Sequence, residues 1–366
     1  MEADRHSRAP VADAPRPAVS VVMPAFNCAS YVDAAIESLT RQTLKEWECV
    51  CVDDGSTDDT ASRLDAWAAR DTRIRVLRQP NAGVSAARNS GLAHARGDFL
   101  FFLDADDLVG AEALERMVSV SRQTRADVVV GGLVMMSPDC AEMPAAPAKP
   151  EAVATYDTPI MPSLLSFRTL RFEACGKLYS RHRFADARFP IGVACAEDTF
   201  FWLSAAAAAR RIVVCPDPLY GYRRTPGSAS LNAASGRKYI AGSVAVAVHC
   251  HDLCVQHQLP QSTTNELIEI YGTNRIWTEV MRAAADSAVT TDDFRQLRSE
   301  AIAGIQAVRK RTGRRAGCIA LQHRLTWLFT EMFPSRKILR FLWRLRNLRQ
   351  SVCSAQRILA TRPQPT

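Results

Sequence analysis

Long apolar runs are missing from this 366-residue chain: no stretch approaches the roughly 18–20 continuous apolar residues of a membrane-spanning helix. Aromatic residues are few, at 7%, yet 47% of the chain is apolar and 23% is charged. Those proportions exclude a disordered chain, a collagen-like repeat and a small disulfide scaffold. Paired cysteine spacing is also lacking. The 11 cysteines are an odd number, fall mostly within apolar runs and read as reduced thiols used as small core residues. Residues Met1 to Pro17 are polar, with no apolar stretch before Val19, so no signal peptide is expected and a cytoplasmic setting is. No internal repeat is visible.

Acid is scarce in one place. Residues 301–366 hold fourteen Lys and Arg against Glu331 alone, whereas the first 300 residues hold 32 bases and 37 acids. A mildly acidic body with a strongly basic end anticipates a polyanionic partner, such as anionic lipid or nucleic acid.

Short β-branched or apolar runs alternate with helical spacing through the first part of the chain. Strands are expected at Val19–Met23, Glu48–Val52, Ile74–Leu77, Phe99–Leu103 and Val128–Val130, with helices near 30–41, 56–67, 83–96 and 111–124. The Pro- and Ala-rich stretch Ser137–Pro162 reads as a surface excursion. Strand material returns at Lys177–Tyr179, Ile212–Cys215 and Leu219–Tyr222, around a helix at 196–208. Four helices then follow, over about 236–257, 263–285, 292–311 and 319–360. The alternation predicts an α/β fold, a doubly wound and mostly parallel sheet, with an all-helical C-terminal extension. The domain limits expected are a disordered 1–17, a catalytic 18–230 and a helical, basic 231–366.

Two of these strands end in acid-rich turns, and ligands of such sheets lie outside the carboxyl ends of the strands. Asp104 and Asp106 form a carboxylate pair directly after the strand FLFFL. Clustered carboxylates suit a hard divalent cation completed by phosphate oxygens and water. Residues alone also allow a solvated turn that caps the helix near Ala111. Asp53-Asp54-Gly55-Ser56 suits either a plain turn or a polar contact to a nucleotide base or ribose. A third cluster, His249, Cys250, His251, Cys254 and His257, would put Cys250, Cys254 and His257 on one helix face. It lacks Cys-x-x-Cys spacing and reads as core sooner than as zinc ligands.

Four strings in order, VSVVMPAFN, VDDGSTDDT, NAGVSAARN and FLFFLDADD, closely resemble the opening of the family 2 nucleotide-sugar-dependent glycosyltransferases. Later strings agree: Gly176-Lys177-Leu178-Tyr179, Glu197-Asp198-Thr199-Phe200-Phe201 and Leu219-Tyr220-Gly221-Tyr222-Arg223. The resemblance spans about residues 19–230. It implies a Rossmann-like GT-A fold that holds a nucleoside diphosphate sugar at the carboxyl edge of the sheet. By motif, Asp54 or Asp53 would contact the base, most often uracil. Pro24 and Asn27 would shape the nucleotide pocket, with Arg88 nearby. Asp104 and Asp106 would hold Mg2+ or Mn2+ through the diphosphate. Asp198, in the Glu197-Asp198 pair, is the candidate general base for an attacking hydroxyl, and attack opposite the leaving group would invert the anomeric centre. Lys177 would pair with Glu197 or approach substrate oxygens. Without the resemblance, Glu197-Asp198 reads as an acidic first turn favoured by the helix dipole.

Over 336–358, Ile338, Phe341, Leu342, Leu345, Leu348 and Val352 share one helical face, with Arg336, Lys337, Arg340 and Arg344 broadly opposite. Such a helix suits the surface of an anionic membrane, each base adding about 1 kcal/mol. A helix docked on the catalytic domain is the competing reading. Nucleic acid is not expected as a partner, because no helix-turn-helix, zinc finger or aromatic RNA-binding signature accompanies the charge. The function expected is therefore sugar transfer from a nucleotide donor, of UDP type, to a hydroxyl acceptor in cell-surface polysaccharide or glycolipid synthesis. The enzyme would work peripherally, at the inner face of the plasma membrane, with a glycan or lipid-linked acceptor. The alternatives are a metal-dependent sugar-phosphate nucleotidyltransferase or a non-catalytic scaffold. The first is disfavoured by Pro24-Ala25-Phe26-Asn27 standing where its Gly- and base-rich phosphate loop would be.

Overall fold

Apolar runs without alternation belong in strands buried on both faces, and the first two strands of the chain behave that way. In a computed structural model, every residue of β1 (Val19–Ala25) and β2 (Trp47–Asp53) is buried. The structure describes residues 16–140, 142–144, 154–158, 161, 170–193, 195–223, 225, 236–285 and 289–312. The expected disordered N-terminus up to residue 15, most of the Pro-rich excursion and the basic amphipathic helix lie outside the described residues. The chain divides into two compact units.

The first unit is drawn from Met1–Thr155, Cys175–Asp186 and Arg211–Arg223. Its helices are α1 (Val32–Thr40), α2 (Thr60–Arg70), α3 (Val84–His94), α4 (Ala113–Thr124) and the single turn α5 (Arg181–Phe184). Its other strands are β3 (Ile74–Arg78), β4 (Phe99–Phe102), β5 (Leu108–Val109), β6 (Val128–Met136), β8 (Lys177–Ser180) and β9 (Arg211–Arg223). The short β7 (Ala154–Asp157) pairs with β9. The sheet runs β3-β2-β1-β4-β8-β6-β9-β5. β3, β2, β1 and β4 are mutually parallel, and β6 is parallel to β9. β8 lies antiparallel between β4 and β6. The fold is thus the expected α/β sheet, mostly parallel, with β8 reversed where the chain returns from its excursion and the short β5 antiparallel to β9 at the edge.

Two expected strands, 212–215 and 219–222, are one strand with an irregular middle. The register against β6 shifts on either side of Gly132, whose partner is Pro218. A Cβ at Gly132 would sit 2.2 Å from the Pro216 carbonyl oxygen, so only glycine lets the two backbones meet here. Gly131 and Gly132, which follow the apolar run Val128–Val130, hid the true length of β6 from a reading based on apolar runs.

The amino end of the sheet is tied by a buried carboxylate. Glu48 is 2% exposed. Its Oε1 accepts from the Ser20 hydroxyl at 2.6 Å and the Arg96 amide at 2.7 Å, and its Oε2 accepts from the Arg96 side chain at 2.9 Å. Burial pushes its pKa up, but these donors outweigh it and hold the carboxyl below the usual range. Glu48→Ala takes an acceptor from the buried Ser20 hydroxyl and the Arg96 amide, and should cost about 1–3 kcal/mol. Urea denaturation should show a lower midpoint with an unchanged slope. The contribution of the wild-type carboxylate is complete above the unfolded glutamate value and is lost as pH falls through its depressed folded value.

The second unit is drawn from Tyr156–Ala174, Ala187–Arg210 and Arg224–Thr366. It contains α6 (Glu197–Ala208), α7 (Gly236–Gln256), α8 (Gln261–Ile268), α9 (Asn274–Ala285) and α10 (Thr291–Thr312). Ile240, Ile276, Val280, Phe294, Leu297, Ala301 and Ile305 form a core between α7, α9 and α10. The expected single helix 263–285 is broken by a π-helical turn, Glu269–Thr273. There Gly272 lies so close to α7 that a Cβ would stand 2.3 Å from that of Ala247. Among the described residues, no helix is long and apolar enough to cross a membrane.

Candidate active site

Parallel register places three turns side by side at the carboxyl edge of the first unit. Ala25 at the end of β1 pairs with Asp53 at the end of β2, and Val22 pairs with Phe102 at the end of β4. The β1 turn contains Asn27 in the left-handed region (φ 48°). Its Oδ1 accepts from the Thr57 amide at 2.8 Å, while the Asn27 amide donates to Ser56 Oγ at 3.1 Å. The Cys28 amide donates to Thr60 Oγ1 at 2.8 Å. The β1 and β2 turns are thereby stitched into one wall, with Pro24 buried beneath it.

The two aspartates of the second turn are nearly sealed from solvent, at 4% for Asp53 and 3% for Asp54. Their environments differ. Asp54 accepts from Gln79 Nε2 at 2.7 Å, the Ala82 amide at 3.0 Å and the Gly83 amide at 2.8 Å, so it ties the turn before α3 to β2. Asp53 accepts from the Ser56 amide at 3.1 Å. Gly55 permits the turn with φ 74°.

The third turn carries the acidic cluster. Asp104 pairs with Arg88 Nη2 at 2.8 Å; the arginine side chain is 5% exposed and the carboxylate 26%. Asp106 is half-buried. Asp107, not singled out from the sequence, is fully buried. Its Oδ2 accepts from the Tyr220 hydroxyl at 2.6 Å and its Oδ1 from the Arg223 amide at 2.8 Å. Burial and the charges of Asp104 and Asp106 push its carboxyl well above the usual range, against the pull of those two donors. Burial also pushes the Cys28 thiol up to about 12, with the charges of Asp106 and Asp58 adding to it.

Ligand atoms of Asp104, Asp107 and Cys175 lie within 4.8 Å of one another, the one such group of three among the described residues. As a set they suit a hard cation poorly. Asp107 already serves Tyr220 and Arg223, and a thiol is a soft ligand. The partly open oxygens of Asp104 and half-buried Asp106 are the donors that fit Mg2+ or Mn2+, which keep water and phosphate oxygens in their shell. Lys177 is fully buried in β8.

Glu197 and Asp198 stand in the second unit, in the first turn of α6, with Oδ1 of Asp198 accepting from the Thr199 amide at 2.9 Å. Arg275 of α9 donates to Thr199 Oγ1 at 2.6 Å and lies 4.8 Å over the Phe172 ring. Of the histidine–cysteine cluster, Cys250, Cys254 and His249 pack inward, whereas His257 is exposed. Cys250 and Cys254 are fully buried and His249 stacks on Phe200 with centroids 3.6 Å apart, Nε2 bonded to Ser204 Oγ at 2.7 Å. All nine described cysteines are free thiols.

Burial lowers the pKa of His249 to about 4. Between about pH 6.5 and 4 the unfolded chain therefore binds a proton that folded His249 refuses, and stability falls as pH falls through that window. After allowing for partial solvation, the loss is roughly 2 kcal/mol. Urea unfolding at pH 7 and 4.5 should show wild type losing that much more than His249→Phe.

Residues 20–181 match the model of the glycosyl transferase family 2. The chain carries a family 2 glycosyltransferase domain. Its relatives include the uncharacterized glycosyltransferase EpsJ of Bacillus subtilis, 35% identical over 58% of this chain and 62% of that protein. The poly(ribitol-phosphate) beta-glucosyltransferase of Bacillus spizizenii is 28% identical over 56% of this chain and 32% of that protein. The match with EpsJ thus spans under two thirds of that relative's length, and the match with the glucosyltransferase about one third. S. aureus TarS 1–349, solved in complex with UDP-GlcNAc, superposes with a TM-score of 0.54 at 20% identity, covering 81% of this chain and 93% of that one. The family 2 domain here has the GT-A fold.

Proposed function

We propose that the chain is an inverting glycosyltransferase that moves a sugar from a nucleoside diphosphate donor, of UDP type, to a hydroxyl of a cell-surface polysaccharide or glycolipid. The observation that carries this reading is the convergence of Asp53, Asn27 and the Arg88–Asp104 pair on adjacent parallel strand ends within one unit. Asp53, which accepts one hydrogen bond against three at Asp54, is the better suited of the two to accept from a base. Pro24 and the Asn27 turn shape the wall beside it. A divalent cation held by Asp104 and Asp106 would stabilise the charge that develops on the departing diphosphate. Arg88 fixes the carboxylate of Asp104 before any donor arrives. Asp198 takes the proton of the attacking hydroxyl.

Turnover of a panel of UDP-, GDP- and dTDP-sugars, with and without Mn2+, tests the reading. One donor class should be consumed only with the cation, with inversion at the anomeric carbon. Full activity in a chelator, or no turnover of any nucleotide sugar, would overturn it.

The basic 336–358 segment completes the proposal by seating the enzyme on an anionic membrane beside a lipid-linked acceptor. Full-length protein should co-sediment with phosphatidylserine vesicles, less so in high salt, and a form lacking residues 320–366 should not. Equal pelleting of the two would reject the anchor.

A further inference from the structure

The sugar-transfer reading uses Asp104 and Asp106 but leaves Asp107 and Tyr220 without a task. Tyr220 is fully buried, in β9, more than a hundred residues from the acidic turn. Its hydroxyl donates to Asp107 Oδ2 at 2.6 Å and accepts from the backbone amide of Asp104 at 3.2 Å. The turn closes on itself through the Asp107 amide, which donates to the Asp104 carbonyl at 3.0 Å. The next turn of contact comes from the same strand, where the Arg223 amide donates to Asp107 Oδ1. One hydroxyl thus grips both ends of the segment 104–107. Its ring is held independently, against Phe101 at 6.2 Å between centroids and against Gly176, where an added Cβ would sit 3.2 Å from the ring.

We propose that Tyr220 is a positioning residue whose hydroxyl sets the backbone of the acidic turn, so that Asp104 and Asp106 present their oxygens to the cation and donor diphosphate already oriented. This rests on the metal-dependent transfer proposed above. Removing the hydroxyl leaves the Asp104 amide without this acceptor and Asp107 without its shortest donor, while the apolar packing of the ring survives. The turn then gains freedom that binding must remove. Groups outside the ligand shell of a metal commonly carry 10–100-fold of its affinity.

Tyr220→Phe should weaken Mn2+ binding in the presence of UDP about tenfold, read from the electron paramagnetic resonance signal of free Mn2+ without turnover. At saturating Mn2+, kcat should stay within about twofold of wild type, so that the defect lies in the Mn2+ requirement and the donor KM. Hydrogen–deuterium exchange of the metal-free protein should quicken in the peptide spanning 103–109 and not in α2. Tyr179→Phe, at an equally buried tyrosine of the same sheet, serves as the control and should leave Mn2+ affinity unchanged. If Tyr220→Phe fails to fold, Asp107→Asn keeps the ring and reads the same two quantities. Unchanged Mn2+ affinity and unchanged local exchange would overturn the role of Tyr220. Failure of the wild type itself to bind Mn2+ with UDP would instead remove the metal-dependent reading, and this inference with it.

Discussion

Asp198→Asn should lower sugar transfer by about 10^2–10^4-fold while leaving the donor KM and the thermal midpoint close to wild type. An alcohol must lose its proton as it attacks, and an amide has no basic oxygen with which to take it. The geometry makes this substitution mild for the fold. Asp198 sits in the first turn of α6, where its Oδ1 accepts from the Thr199 amide at 2.9 Å, and the amide oxygen of asparagine can accept the same bond. The interaction of its charge with the helix dipole is lost, about 0.3–1 kcal/mol. Thr199 stays anchored from the other side by Arg275. A structural role would therefore show in the melting curve, and a basic one in kcat. Undiminished transfer by the variant would return Asp198 to the dipole role and leave the proton acceptor elsewhere.

How much of this was legible beforehand differs between elements for physical reasons. β1, β2 and β4 were readable because strands buried on both faces are continuous apolar runs, and because acid-rich turns follow β2 and β4 at the edge where such sheets take their ligands. The division of labour within the acidic turn was not readable. Asp104, Asp106 and Asp107 are the same residue in sequence, and only the fold buries the last of them against Tyr220. Asp53 and Asp54 are equivalent in sequence for the same reason; the bonds from Gln79, Ala82 and Gly83 tell them apart. The unexpected bonding partner of Asp107 comes from the Leu219–Arg223 string, a motif with no chemistry of its own to announce it. The π-helical turn at 269–273 escaped because helical spacing continues through it, whereas its cause, the approach of Gly272 to Ala247, is a tertiary contact. The histidine–cysteine cluster reads as core sooner than as ligands because its spacing is wrong for zinc, and the His249 ring indeed stacks on Phe200 and bonds to Ser204.

The carboxylates of the acidic turn should separate by a different pair of measurements. On the proposed reading, Asp106→Asn and Asp104→Asn should each reduce transfer by about 10^2–10^3-fold and raise the Mn2+ concentration needed for half-maximal rate, since each would remove an anionic oxygen that compensates diphosphate charge. Only Asp104→Asn should also destabilise the protein. Its carboxylate faces the Arg88 guanidinium, whose side chain is 5% exposed, and neutralising one member leaves a buried cation short of its counter-charge. A loss of about 1–3 kcal/mol in urea unfolding is expected for that variant, measured without metal or donor. Arg88→Met replaces the cation by an apolar chain of similar reach and should recover part of the stability in an Asp104→Asn background, but none of the activity. Such a result would show that the arginine–aspartate pair does two separable things: it holds the turn in the resting protein and presents an oxygen to the cation in the working one. Equal stability of the two single variants would mean that the pair carries no net folding energy, and full activity of either would remove that carboxylate from the metal.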